Sequence, residues 1–220
     1  MQEKFSLVIF DLDGTIASTN ELIFASFNHI VKKYKNKTMS EQEIISLFGP
    51  TEDVVIEKLF NGEAEFAKKD YYLFYESNHD SMIKNFPLIE EIIKLLKRYF
   101  VILGIFTGKG RKTTDITLKK LDFAKHFDYV ITGDDVLNHK PHPEGIFKIM
   151  KKSGITNNEK VLLIGDSPAD IIAARGAQIK IASVLWDSYA KDMCLSLNPD
   201  YVFWSPLELY NFFQNLYEKN

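Results

Sequence analysis

The chain has 220 residues, enough for one domain of ordinary size or for a core domain with a smaller lobe. Hydrophobic residues make up 45% of it and charged residues 26%, proportions that exclude collagen-like, intrinsically disordered and disulfide-scaffold proteins. The formal net charge of −3 gives no overall field toward nucleic acid or an anionic membrane, so we expect neither as a partner.

Cysteine use and the first apolar run bear on where the protein works. Cys194 is the single cysteine, so the sequence offers no internal disulfide and no thiolate cluster for zinc or iron–sulfur binding. Residues Met1–Lys4 lead into an apolar run, Leu7–Phe10, that is too short for a signal peptide, and no run approaches the ~18 residues of a spanning helix. We therefore expect a cytoplasmic location.

Short apolar runs predict the strands of a sheet. They are continuous rather than alternating, which indicates strands covered on both faces, as in a parallel sheet. In chain order the runs are Leu7–Phe10, Val101–Phe106, Tyr129–Thr132, Val161–Ile164 and Ile179–Leu185. Helical periodicity alternates with the later runs, over Pro87–Tyr99, Gly110–Leu121, Pro143–Lys152, Pro168–Gly176 and Pro206–Tyr217. This alternation predicts a doubly wound α/β fold with a Rossmann-like parallel sheet.

The connection between the first two strands is different, because it is helical over most of its length. Its periodic stretches are Glu21–Tyr34, Glu41–Phe48, Glu52–Phe60 and Ala64–Met82, with a break at Gly49–Pro50. We predict that residues 16–84 form a helical cap domain inserted into an α/β core made of residues 1–15 and 85–220. The seams are expected to be short hinges near Ala17–Thr19 and Asn85–Pro87.

Two carboxylates follow the first predicted strand directly. Asp11 and Asp13 are spaced i, i+2, so both point to the same side of an extended segment. An Asp-Gly pair such as Asp13-Gly14 is also ordinary turn chemistry, and taken alone the pattern favours that interpretation.

Three later strands also end in polar residues, and this changes the interpretation. Thr107-Gly108 follows the second strand, Lys140-Pro141 lies in the loop after the third, and Asp166 and Asp170 follow the fourth. In an open parallel sheet the carboxyl ends of the strands form the ligand crevice. The sequence therefore gathers four carboxylates, a hydroxyl and an ammonium group at one edge of the sheet.

These four motifs, in this order and with a helical insertion after the first strand, resemble the signature of the haloacid dehalogenase (HAD) superfamily in its phosphatase branch. The motifs are Asp11-x-Asp13-Gly14-Thr15, Thr107-Gly108, Lys140-Pro141 and Gly165-Asp166-x-x-x-Asp170. One position departs from the family pattern: members often carry asparagine where Gly108 stands, so only the backbone N–H of Gly108 can assist there.

The resemblance implies a role for each motif residue. Asp11 would be the nucleophile that forms an aspartyl-phosphate, and Asp13 the acid that protonates the leaving oxygen and then activates water. Thr107, the Gly108 amide and Lys140 would bind the phosphate and stabilise charge on the transferring phosphoryl group.

The implied cofactor is Mg²⁺. Its oxygen ligands would come from Asp11, the backbone carbonyl of Asp13, and Asp166. Asp170 would either ligate the metal through water or orient Lys140.

Within this resemblance, hydrolysis of a small phosphorylated metabolite is the expected function, as in phosphoglycolate phosphatases and pyrophosphatases. Asp13 counts against a dehalogenase, which needs no acid for its leaving group. A phosphomutase of the β-phosphoglucomutase type usually carries a histidine where Ile23 stands. The mutase, and a phosphate-binding regulatory homologue without turnover, stay as alternatives.

Substrate selection is expected in the cap, which would close over the crevice. The candidate specificity loop is Gly49, Pro50, Thr51 and Glu52, since phosphatases of this kind carry a similar Gly-Pro turn. Arg111, at the start of a core helix, is either a second contact for an anionic substrate or an ordinary helix-face arginine. The sequence carries no mark of oligomeric state.

Two further pairs of residues could be mistaken for metal ligands, but neither belongs to a complete set of ligands. His139 and His142 flank Lys140, but no cysteine or third ligand lies nearby, so we interpret them as part of a solvated loop. Asp134 and Asp135 follow the third strand, and we interpret them as turn and helix-capping residues.

Overall fold

The structure is a computed structural model that describes residues 4–218, so residues 1–3 and 219–220 of the predicted core lie outside the described residues. The strands are β1 Leu7–Phe10, β2 Ala17–Ser18, β3 Lys84–Asn85, β4 Ile102–Phe106, β5 Tyr129–Ile131, β6 Val161–Gly165, β7 Lys180–Val184 and β8 Tyr201–Phe203. The helices are α1 Asn20–Lys35, α2 Glu41–Ile45, α3 Glu52–Leu59, α4 Ala64–Met82, α5 Ile89–Arg98, α6 Arg111–Lys120, α7 Glu144–Ser153, α8 Pro168–Gly176, α9 Lys191–Ser196 and α10 Pro206–Glu218.

Six of these strands form one parallel sheet in the order β5-β4-β1-β6-β7-β8. Leaving out the short strands β2 and β3, this is the 3-2-1-4-5-6 order of a doubly wound fold. Phe10 at the end of β1 pairs with Ile105 of β4 and Ile164 of β6, so the carboxyl ends of the three central strands are level. The predicted doubly wound α/β fold is confirmed.

The sheet is buried on both faces, which explains its continuous apolar runs. Successive residues of a strand point to opposite faces. Val8 and Phe10 of β1 pack into the layer that includes α5 and α10, whereas Leu7 and Ile9 pack into the layer that includes α7 and α8. All four side chains are fully buried.

The helices α1–α4 form a separate layer, called the cap below, with its own cluster of buried side chains. The chain enters and leaves the cap through an antiparallel ribbon in which Ala17 pairs with Asn85 and Ser18 with Lys84. Local sequence sets the helix ends: Ser40 and Glu43 form a capping box at the start of α2, and Asn36 ends α1 in the left-handed conformation.

The predicted elements agree with the structure apart from a few short ones. The prediction missed β2, β3 and β8, which are two or three residues long. Helix α2 ends at Ile45 rather than at Phe48, and the chain continues in 3₁₀-type turns with i→i+3 hydrogen bonds up to Gly49-Pro50. The helix stops before this pair because the residue that precedes a proline disfavours helical backbone angles. Within residues 4–218, the helices all fall short of the length or the apolar composition that a membrane crossing requires.

Candidate active site

Asp11 and Asp13 stand at the end of the central strand. The Asp11 N–H donates to the Ile164 carbonyl at 2.8 Å, so pairing with β6 continues past the end of β1. The turn that follows depends on Gly14, whose φ is +76° and where a Cβ would lie 2.5 Å from a carboxylate oxygen of Asp166. The Asp13-Gly14 pair is therefore a turn, and it also brings the first motif against the last.

Lys140 bridges two of the motif carboxylates. Its Nζ lies 2.8 Å from Asp11 Oδ1 and 2.5 Å from Asp170 Oδ1, and its side chain is 8% exposed. The loop that carries it is fixed by Glu144, whose carboxylate accepts the N–H groups of Leu137 at 3.0 Å and Asn138 at 2.9 Å. A lysine distant in the sequence thus offsets part of the negative charge at the centre of the acidic cluster.

Asp170 is held by the helix that carries it. Ser167 and Asp170 form a capping box at the start of α8, with Pro168 in the first turn. The N–H and hydroxyl of Ser167 donate to Asp170 Oδ2 at 3.1 and 2.6 Å, while Lys140 takes the other oxygen. Both carboxylate oxygens of Asp170 therefore have protein partners, Ser167 and Lys140.

Asp166 follows β6 and faces Asp11. Its backbone carbonyl accepts the Ser188 hydroxyl at 2.5 Å, and one carboxylate oxygen accepts the Thr15 hydroxyl at 3.4 Å. Asp11, Asp166 and Asp170 are all buried, and one carboxylate oxygen from each lies within 4.8 Å of the others. Three close carboxylate oxygens form a donor set of the kind that Mg²⁺ prefers.

Burial and mutual repulsion make it unfavourable for all the carboxylates of this cluster to be ionised together. Burial, opposed by Lys140 and reinforced by Asp170 and Asp13, raises the pKa of Asp11 from 3.8 to about 7. Burial, and then the charges of Asp11 and Asp170, raise the pKa of Asp166 well above its usual range. Asp11 and Asp166 are costly to ionise without a further cation, so the residues present fit a divalent metal.

The strand-end residues of β4 line the same crevice. The Thr107 N–H donates to the Ile131 carbonyl at 3.1 Å, and the Thr107 hydroxyl accepts the Lys109 N–H at 3.2 Å. Thr107 is buried, and with Gly108 it lines the cavity that also contains Asp11 and Lys140. The four predicted motifs are thus brought together at one site.

That cavity has a volume of about 160 Å³ and lies between the core and the cap. On the cap side it is lined by apolar side chains, among them Ile23 and Phe48, and by Gly49, Pro50 and Glu52 of the predicted specificity loop. Thr51 contacts the core elsewhere: a Cβ on Gly133 would lie 2.4 Å from its methyl group. Thr51 is outside the cavity lining.

Glu52 is anchored to the core. Its carboxylate accepts the Gly110 N–H at 2.8 Å and the hydroxyl of Thr113, and the residue is buried. Gly110 is the N-cap of α6, so Glu52 supplies from the cap a negative charge at the amino end of a core helix.

Arg111 lies outside the cavity, so the expectation that it contacts an anionic substrate has no support here. Its guanidinium donates to the Val130 carbonyl at 3.0 Å and to Asp135, and its N–H donates to Asp134 at 2.7 Å. The reason is that α6 turns this side chain toward the loop after β5. Asp134 and Asp135 act as capping and pairing residues, in line with their interpretation from sequence.

Two residues at this site were missed by the sequence reasoning. Lys109 Nζ lies 3.1 Å from Asp13 Oδ1, and the Thr19 hydroxyl donates to the same oxygen. A lysine two positions after the Thr107 hydroxyl, in a loop already assigned to the crevice, was a signal available in the sequence. Thr19 offered none beyond its place at the predicted hinge.

The chain is similar to known proteins over most of its length. A family model described as haloacid dehalogenase-like hydrolase matches residues 8–184. Pyrophosphatase PpaX from Bacillus cereus (strain AH820) is 32% identical over 199 residues, which cover 90% of this chain and 92% of that protein.

Solved structures share the fold. A predicted phosphoglycolate phosphatase from Haemophilus somnus has a TM-score of 0.84 and 23% identity, covering 97% of this chain and 100% of that one. A hydrolase from Pseudomonas syringae has a TM-score of 0.80 and 24% identity, covering 96% and 99%. Since the family match takes in every strand-end motif from Asp11 to Asp170, the chain belongs to the haloacid dehalogenase-like hydrolases.

Proposed function

We propose that this protein is a Mg²⁺-dependent phosphatase that hydrolyses a small phosphorylated metabolite through an aspartyl-phosphate on Asp11. In this proposal residues 1–15 and 85–220 are the catalytic core, and residues 16–84 are the cap that encloses the substrate. The observation that carries it is the bridge from Lys140 to Asp11 and Asp170, inside a cavity between core and cap.

Asp11 is the proposed nucleophile. Its carboxylate would attack phosphorus and release the leaving group, which divides one difficult displacement into two easier ones. Lys140 at 2.8 Å holds the carboxylate in place, and Thr107 and the Gly108 amide lie in the same cavity to meet the phosphoryl oxygens.

Asp13 is the proposed acid and base. Two positions past the nucleophile, it would donate a proton to the leaving oxygen and then take one from the water that hydrolyses the aspartyl-phosphate. Its side chain is 20% exposed, against 11% for Asp11. This greater access suits the group that exchanges protons with the leaving group and water.

Mg²⁺ is the proposed cofactor, held by Asp11, Asp166, the backbone carbonyl of Asp13 and, directly or through water, Asp170. When bound it would supply positive charge to the phosphate and to the buried carboxylates. The excess of buried carboxylates over the ammonium of Lys140 supports this assignment.

The substrate class is proposed from the cavity and from the relatives. A volume of about 160 Å³ is below the ~300–1,000 Å³ of sites for drug-sized ligands, so a small molecule fits best. The 32% identity with a pyrophosphatase makes pyrophosphate the first substrate to test, with phosphoglycolate as the second. Ile23 in the cavity lining disfavours a mutase, because an isoleucine cannot transfer a proton. The single, buried cysteine fits the cytoplasm as the proposed location.

The test is release of phosphate from pyrophosphate, phosphoglycolate and p-nitrophenyl phosphate, with and without Mg²⁺. Wild-type protein should require Mg²⁺, and Asp11→Asn should lose activity on all three substrates. Asp192→Asn, on the exposed first turn of α9, is the matched control and should retain it. Full activity in Asp11→Asn, or no Mg²⁺-dependent release by the wild type from these substrates or a wider panel of phosphorylated metabolites, would refute the proposal.

A further inference from the structure

Lys109 is a buried lysine that belongs to none of the four motifs. It follows β4, its side chain is 4% exposed, and its Nζ lies 3.1 and 3.4 Å from the two carboxylate oxygens of Asp13. Burying an ammonium group is unfavourable unless the charge is paired. Asp13 is therefore the counter-charge that allows a lysine to be buried at this position.

A second contact comes from the cap. The Nζ of Lys109 lies 4.8 Å from the ring centroid of Tyr75 in α4, and that ring is fully buried. A desolvated cation is attracted to the electron-rich face of an aromatic ring. The Tyr75 hydroxyl lies 2.8 Å from the Thr117 hydroxyl of α6, which ties the ring to the core.

The backbone of Lys109 is fixed as well. Its N–H donates to the Thr107 hydroxyl at 3.2 Å, and its carbonyl accepts the Gly133 N–H at 3.0 Å. With the backbone and the ammonium both held, the Lys109 side chain has little freedom. It can therefore fix the carboxylate that it contacts, together with Thr19 on the other side.

Lys109 and Lys140 contact different carboxylates of the site. Lys140 contacts Asp11 and Asp170, whereas Lys109 contacts Asp13, and both line the cavity. We propose that Lys109 is a positioning residue that holds the Asp13 carboxylate toward the leaving oxygen, and that Tyr75 of the docked cap keeps Lys109 in place. The inference rests on the acid role of Asp13 in the proposed function. The Lys109 ammonium pairs with the ionised form of Asp13, which is the form left once a protonated Asp13 has passed its proton to the leaving oxygen.

The kinetic test compares leaving groups. Lys109→Met keeps the length of the side chain and removes its charge. Its kcat on phosphoglycolate, whose leaving group is an alkoxide, should fall at least ~10-fold and by no more than the ~10²–10⁴ that general acid catalysis supplies. Its kcat on p-nitrophenyl phosphate, whose leaving group needs no proton, should fall much less. Lys109→Arg should recover part of the loss. Equal losses on both substrates would overturn the inference.

A double-mutant cycle separates positioning from substrate binding. On an Asp13→Ala background, Lys109→Met should cause little further loss, because the group that it positions is already gone. Additive losses would mean that Lys109 contacts the substrate directly, and the positioning role would be rejected.

Variants in helix α4 of the cap test whether Tyr75 keeps Lys109 in place. Phe66→Leu removes an exposed ring from the same helix, is the matched control, and should behave as wild type on the two substrates. Tyr75→Leu removes the ring and should reproduce the pattern of Lys109→Met. If Tyr75→Leu gave wild-type kinetics, the coupling to the cap would be refuted. If it failed to fold, Tyr75→Met, whose unbranched side chain adapts to the space left by the ring, should give the pattern of Lys109→Met, and wild-type kinetics in that variant would refute the coupling.

A structural readout is independent of turnover. In a crystal structure of Lys109→Met, the Asp13 carboxylate should leave its present position beside Thr19, and circular dichroism should show a folded protein. An unmoved carboxylate would overturn the inference even in an active enzyme. Failure of the proposed function is distinguishable, because it would appear as wild-type protein without Mg²⁺-dependent phosphate release.

Discussion

The ammonium of Lys140 lies 2.8 Å from the Asp11 carboxylate although the two residues are 129 positions apart in the sequence. The same ammonium lies 2.5 Å from Asp170, so one lysine offsets part of the charge of two buried acids. The pKa of Asp11 is nevertheless raised to about 7, first because the group is buried. The site is thus short of positive charge by itself.

Removing Lys140 should therefore weaken the fold as well as the activity. In Lys140→Met, Asp11 and Asp170 would be buried without their counter-charge, and the free energy of unfolding should fall by about 3–5 kcal/mol. If Mg²⁺ is the cofactor as proposed, it should reduce this difference in stability between the variant and wild type, since it would bind the folded variant at carboxylates that have no other cation. Urea unfolding with and without Mg²⁺ measures both effects. Lys151→Met, exposed on α7, is the control and should change neither; a variant as stable as wild type without Mg²⁺ would contradict the prediction.

The loop that carries Lys140 should give a pH-dependent contribution to stability through Glu144. The ammonium of Lys148, and then the N–H groups of Leu137 and Asn138, lower the pKa of Glu144 from 4.5 to about 2. Because the pKa is lower in the folded state, this contribution is complete above about pH 4.5 and is lost as the pH falls toward 2.

The stability difference between wild type and Glu144→Gln should therefore be constant near neutral pH and shrink below about pH 4.5. Chemical unfolding from pH 7 downward measures it. Glu76→Gln, on the exposed face of α4, should show no such difference. A difference that grew as the pH fell would have the wrong sign for this account.

Glu52 should hold the cap against the core. In Glu52→Ala the Gly110 N–H loses its acceptor and α6 loses a carboxylate at its amino end, which weakens docking by about 1–2 kcal/mol. The Gly110 amide should exchange with solvent faster in hydrogen-exchange NMR, and KM should rise. Glu57→Ala, an exposed acid of α3, should leave that exchange rate unchanged. Unaltered exchange of Gly110 in Glu52→Ala would show that the cap is docked by other contacts.

Arg111 should prove structural. Its ion pair with Asp135 is partly exposed, so Arg111→Met should lower the free energy of unfolding by about 1 kcal/mol or less. KM for pyrophosphate and for phosphoglycolate should stay at the wild-type value. Steady-state kinetics and thermal denaturation measure the two quantities. A raised KM in a variant as stable as wild type would show that Arg111 contacts the substrate.

The sequence by itself determined the architecture and indicated which four strand-end motifs meet at the site. Continuous apolar runs indicated strands buried on both faces, and the predicted bounds of Leu7–Phe10, Ala64–Met82 and Pro168–Gly176 agree with the structure. The motif acids could be placed together because parallel strands end at a common edge. That placement depends only on strand order and direction, which local patterns carry.

The tertiary structure alone decided which way individual side chains in that crevice face. Lys109 and Arg111 are two positions apart, yet Lys109 turns inward to Asp13 and Tyr75, and Arg111 turns outward to Asp135 and Val130. Glu52 likewise lines the cavity with its carboxylate taken up by the amino end of α6. The partners that settle these orientations come from the cap, from the loop after β1, from β5 and the loop that follows it, and from the start of α6. The positions of these partners depend on how helices and strands pack against one another, and a local sequence pattern does not predict that packing.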